Sequence, residues 1–145
     1  MMQSVGSLEW WDTPVSRESY KSHFVTEGSW QNDVFMVPID CAHEGSQDWD
    51  RWLCLITNSI WVRVVADEFY DVVLEYKLPD GPFRAPFYRI VGSWHLPLYE
   101  RFLRETARIN PDDSLGEYLI ASMEHHVHIL AMEEPSFKNT KQPAN

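Results

Sequence analysis

Between Phe69 and Leu78 the side chains sort by a two-residue repeat: Tyr70, Val72, Leu74, Tyr76 and Leu78 on one side, Asp71, Glu75 and Lys77 on the other. That pattern fits a strand with one buried and one wet face, and it does not fit a helix, whose faces recur every ~3.6 residues. Pro79-Asp80-Gly81-Pro82 follows as turn chemistry, and Phe87 to Val91 is a second short apolar run. The expectation is a β-hairpin at the centre of a sheet.

The rest of the chain extends this frame. Val34 to Ile39 and Ile60 to Val65 are expected as strands, and Glu117 to Met123 with His126 to Met132 as a terminal hairpin. Three helices are expected. Asp12-Thr13-Pro14 has the form of a helix start leading into Ser16 to Phe24. Ser46 precedes Trp49, Trp52, Leu53 and Ile56 at i, i+3, i+4 and i+7, and Leu96 to Arg108 carries Leu96, Tyr99, Phe102, Leu103 and Ala107 as an inward stripe. Cys41 to Gln47 is expected as a loop, and Lys138 to Asn145 as a loose tail. The sum is a single α+β domain over residues 1–137: a mainly antiparallel sheet of about five or six strands with about three helices packed on it.

Of the 145 residues, 44% are hydrophobic and seven are Trp, enough for a core without metal or disulfides. Cys41 and Cys54 are expected as free thiols, and the absence of a leader-like or membrane-length apolar run makes a cytoplasmic protein the expectation. The net charge of -10 disfavours nucleic acid and anionic membranes and favours basic partners. Two regions hold most of the acid. Residues 1–50 carry nine acids and two bases, and residues 109–134 carry six acids and no base.

No spacing gives a catalytic signature. There is no Gly-x-Ser-x-Gly elbow and no Gly-rich phosphate loop, so no cofactor is expected. Glu124, His125, His126 and His128 invite a zinc reading, with His126 and His128 on one face of a strand, but no third ligand is nominated by spacing. A hairpin that displays polar histidines on its turn and exposed face is the expectation there, and no metal is assigned.

The residues expected to meet a partner are Glu44, Asp48, Asp50, Asp112 and Asp113, with Trp30 and Trp49 as aromatic anchors. A small, acidic, aromatic-rich chain without catalytic motifs resembles bacterial immunity proteins in profile. The resemblance implies a non-enzymatic protein that covers the active site of a basic toxin or effector by complementary charge and shape. The alternatives are an adaptor or nucleic-acid-mimicking inhibitor, a small metal-dependent enzyme using the His cluster, and a small-molecule binding module.

Overall fold

The computed structural model describes residues 6–65, 76–122 and 125–141. Its strands are β1 (Ser7–Trp10), β2 (Tyr20–Val25), β3 (Ser29–Gln31), β4 (Val34–His43), β5 (Trp49–Ile56), β6 (Ser59–Val65), β7 (Phe87–Val91), β8 (Gly116–Ala121), β9 (His126–Ala131) and β10 (Ser136–Asn139). One helix, α1 (His95–Glu105), is found among the described residues. The first sheet runs β1-β7-β8-β9-β6; the second runs β10-β5-β4-β2, with β3 also paired to β4. All of these strand pairs are antiparallel.

Two facing sheets, with a single helix among the described residues, overturn the expectation of an α+β domain with about three helices on one sheet. The expected helix over Trp49–Ile56 is β5. Trp52, Cys54 and Ile56 are buried at period two, while the helix-like spacing of Trp49, Trp52, Leu53 and Ile56 has no helix to serve. Aromatic and apolar residues at both parities fit a half-covered strand equally well. The apparent cap was real chemistry put to another use: the Asp48 N–H donates to Ser46 Oγ at 3.0 Å within the β4–β5 turn.

The helix expected over Ser16–Phe24 is replaced by one turn followed by β2. Thr13 N–H donates to Ser16 Oγ (2.7 Å) and Ser16 N–H to Thr13 Oγ1 (2.9 Å), a reciprocal cap on a turn that does not propagate. The expected loop over Cys41–Gln47 is strand as far as His43, with Cys41 and Ala42 buried. The C-terminal strand β10 takes in Lys138 and Asn139, which the composition placed in a tail.

The Phe69–Leu78 segment lies mostly outside the described residues. Of it, Tyr76 packs beside Leu8, Tyr88 and Leu119, and Lys77 exchanges backbone hydrogen bonds with Gly6 and Leu8. Its expected hairpin with Phe87–Val91 therefore falls mostly outside the described residues; β7 itself pairs with β1 and β8.

The main core lies between the sheets. Val37, Ile39, Cys54 and Ile56 from the second sheet meet Phe87, Ile120, Val127 and Ile129 from the first, with Trp11 and Val15 filling one end. Each of these large side chains contributes about 1.5–3 kcal/mol on burial. The first sheet is covered on its other face too. There Leu103, Ile109, Leu115 and Leu130 join α1 and its following loop to the sheet, and Leu8, Tyr88, Ile90, Leu119 and Ala121 form a separate cluster. The first sheet is therefore the middle layer of three.

Among the described residues no helix is long and apolar enough to cross a membrane. Cys41 and Cys54 are free and buried, and burial pushes the Cys41 thiol up to about 12, which leaves it inert.

Candidate functional site

Strand alternation determines what the helix meets. In β9, Val127, Ile129 and Ala131 point into the core between the sheets, so His126, His128 and Leu130 fall on the α1 side. In β8, Tyr118 and Ile120 take the core side, and Glu117 shares the outer parity of Leu119. The register sets Leu119 opposite His128 and Glu117 opposite Leu130, which makes Glu117 and His128 diagonal neighbours. On the other flank of β9, Arg63 lies opposite His128 and Trp61 opposite Leu130.

Above this surface α1 supplies the second half of the site. Trp94, Leu98 and Phe102 recur every four residues along one flank, and His95 and Tyr99 form the adjacent row. Leu103 is buried and Leu96 packs beside it, but Tyr99 and Phe102 are 38% and 55% exposed and Ala107 is exposed. Those three correct the expected inward stripe. The helix rests on the sheet by one flank only, and its other flank overhangs a cavity of about 410 Å³ lined by Trp61, Arg63, Trp94, His95, Leu98, Tyr99, Phe102 and His128. The helix stops at Glu105, short of the expected Arg108, where Ala107 enters the left-handed region at φ 57°. Glu100 pairs with Arg104 and Arg101 with Glu105, each four residues apart, as their spacing in the sequence predicts.

Beneath the cavity is a buried carboxylate. Glu117 Oε1 accepts from Ser93 Oγ at 2.7 Å, and Oε2 lies 2.7 Å from His95 Nε2 and 2.5 Å from His128 Nε2. Its side chain has no exposed surface. Burial pushes the Glu117 carboxyl up, and the hydrogen bonds from His128, Ser93 and His95 outweigh that, leaving it below the ordinary carboxylate range. The rings are held from the side: His128 stands edge-on to Trp61 at 4.6 Å, and His95 edge-on to Trp94 at 5.6 Å.

The zinc reading gathered Glu124, His125, His126 and His128, and the structure regroups them. His128 joins His95 and Glu117, from two other elements, while His126 is buried further along β9. His126 and His128 do share a face, but a covered one, which corrects the expectation of an exposed histidine face. Glu124 lies outside the described residues. The sequence reading missed Ser93, His95 and Glu117 as site residues. A signal for Glu117 was present: an acid at the parity of Leu119 and Ala121 in a strand that is otherwise continuously apolar.

The expected partner-binding residues do not gather into one patch. Glu44 and Asp48 are exposed in the β4–β5 turn, whereas Asp112 and Asp113 lie in the loop leading into β8 of the other sheet. Asp113 accepts the Asn110 N–H at 2.8 Å. Asp50 is engaged internally by Lys141 (2.9 Å), the Tyr20 hydroxyl (2.8 Å) and His43 (2.8 Å); Lys141, then Tyr20 and His43, hold its carboxyl down at about 2. Trp30 and Trp49 are both exposed, but they oppose Phe35 and Ala42 of β4. Seven residues of strand separate those positions by about 23 Å.

No family model matches the chain, and no curated protein and no solved structure matches it either.

Proposed function

We propose that the protein binds a small molecule in the cavity between α1 and the first sheet, and that the ligand has a flat apolar body and an acidic or hydrogen-bonding head. The observation that carries this reading is the combination of a concave aromatic wall with convergent polar groups at its floor. Trp61, Trp94, Tyr99 and Phe102 offer ring faces, while Arg63, His95 and His128 are the polar lining. The volume falls within the ~300–1,000 Å³ range of ligand pockets, and mainly apolar walls with a few placed polar groups are their usual construction. The Arg63 guanidinium rests over the Trp61 ring at 5.7 Å, where it can meet an anionic head without leaving its seat.

Anilinonaphthalene sulfonate has that chemistry and serves as the probe. One molecule is expected to bind per chain, and Trp94→Ala and Leu98→Asp, both at exposed positions, are each expected to weaken binding about tenfold, or ~1.4 kcal/mol. Fluorescence titration that gives the same affinity for all three proteins would exclude the cavity as the site.

A second reading rests on a different corner. Trp49 lines a hollow of about 440 Å³ with Phe24 and Asp40, and Glu44 and Asp48 stay exposed in the turn that precedes Trp49, on a chain of net charge -10. This corner keeps three residues of the expected partner surface exposed, and it suits a basic protein neutralised in the manner of an immunity protein. The double variant Glu44→Lys/Asp48→Lys should keep its melting temperature and lose a basic protein that the parent chain captures from host lysate at low salt. Equal capture by both would remove this corner from consideration.

A further inference from the structure

We propose that His95, Glu117 and His128 bind one divalent transition-metal ion, zinc or iron by donor type, at the floor of the cavity. This deepens the cavity reading, on which its link to a ligand rests, because the ion would meet the ligand's head.

Three observations support it. The first is convergence: one ligand atom from each of the three residues falls within 4.8 Å of the others, although they come from α1, β8 and β9. Two imidazole nitrogens and one carboxylate oxygen are a donor set suited to zinc and to non-haem iron, and they are a poor set for calcium or magnesium, which take oxygen.

The second is the arrangement around the carboxylate. Ser93 occupies Oε1 and leaves Oε2 to both imidazoles, the outer-shell bond that orients a ligating carboxylate. A metal at ~2.1 Å from each donor needs donor separations of about 3.0–3.4 Å. The present 2.5 and 2.7 Å contacts would open by less than an ångström, and the third separation, between the two imidazoles and within 4.8 Å, would close by up to about 1.8 Å, which side-chain rotations supply. Each imidazole would then present its Nε2 lone pair and carry its proton on Nδ1.

The third is charge and access. Among the described residues, no Lys or Arg pairs with the buried Glu117 carboxylate, whose partners are a hydroxyl and two imidazoles. A cation at Oε2 supplies the opposite charge that a buried carboxylate lacks here. His95 and His128 also line the cavity, so the ion's remaining positions would face it, as at metal sites that keep an open coordination position. The other histidine–acid contact, His43 with Asp50, brings only one imidazole and is already closed by Lys141 and Tyr20.

The test uses the full chain after chelator treatment, with Co²⁺ as the spectroscopic probe and Zn²⁺ as competitor. The expected result is one Co²⁺ per chain, visible absorption bands, displacement by Zn²⁺ and a rise in melting temperature. His95→Gln and His128→Gln should each weaken binding at least about tenfold, and Ser93→Ala about tenfold through the freed carboxylate. Imidazole ¹⁵N spectra of the unmodified chain provide a readout that does not depend on whether variants fold. Two of the six histidines should shift on adding Zn²⁺. No Co²⁺ bands and no imidazole shift at millimolar metal would overturn the site, as would shifts at histidines other than His95 and His128. If anilinonaphthalene sulfonate still binds the metal-free chain in that case, the cavity reading stands and the metal site alone has failed. Metal binding without probe binding would be the reverse outcome.

Discussion

Replacing Glu117 by Ala in chelator-treated protein is expected to lower its stability by about 4 kcal/mol, the largest loss of any single polar substitution considered. The carboxylate accepts from Ser93, His95 and His128 while having no exposed surface of its own. Removing it strands three polar groups at a mostly covered site, and an unpaired buried group costs ~1–3 kcal/mol. Breaking a buried charged cluster by deleting one partner costs ~3–5 kcal/mol. For a chain of this size the melting temperature should fall by about 10–15 °C. Glu117→Gln keeps the volume and one acceptor but turns an NH₂ toward donors, so about half the loss is expected. Urea unfolding of the three proteins decides the matter. A change below about 1 kcal/mol in Glu117→Ala would mean that the cluster does not secure α1 to the sheet.

Acidification from pH 7 to pH 4 should cost about 3 kcal/mol through His23 alone. This residue of β2 is buried, its ring edge-on to Phe87 at 5.6 Å and to Tyr20 at 5.8 Å, and its Nε2 has no hydrogen-bond partner among the described residues. Burial lowers its pKa to about 4. Below the unfolded value of ~6.5 the unfolded chain takes up a proton that the folded chain refuses until about pH 4. Stability from this group is therefore whole above pH 6.5, falls as the pH drops from 6.5 to 4, and is level below that. His23→Leu keeps an apolar side chain in place and removes the titration. The difference between the two proteins, followed by urea unfolding at half-unit pH steps, should rise by about 2 kcal/mol between pH 6.5 and 5 in favour of the variant. A constant difference would show that His23 binds its proton equally in both states.

Sequence pattern made four of the ten described strands legible within a residue or two, β6, β7, β8 and β9, and the first half of β4 as well. The α1 helix was equally plain from its ion pairs and spacing, apart from its last turn. Trp49–Ile56 was not, because its apolar residues satisfy both a helical and a strand period, and the choice belongs to β4 and β10 on either side. Pairing partners were also hidden. Nothing in Ser7–Trp10 announces that it will close one edge of β7, some 80 residues later in the chain. The site shows the same division. Glu117 and His128 could be assigned to faces by parity, but their meeting with His95 depends on where α1 docks, and that is set by Leu103, Ile109 and Leu130. The acids expected at a partner surface show a related division: composition counts Asp50 and Asp113 as free charge, whereas Lys141, Tyr20 and His43 engage Asp50 and a local turn engages Asp113.

The ends of the domain are tied to each other. Trp11 Nε1 donates to Glu134 at 2.8 Å across 123 residues, Arg89 contacts the same carboxylate, and Phe137 of β10 packs tilted against Trp11 and edge-on to Phe87. A chain made from its N-terminus at ~5–20 residues per second therefore exposes Trp11 for about 6–25 seconds before its partners leave the ribosome. Until β10 arrives, one end of the core has no lid and the β5 edge stays open. β10, the last of the described strands to be made, is thus the latch of the sandwich.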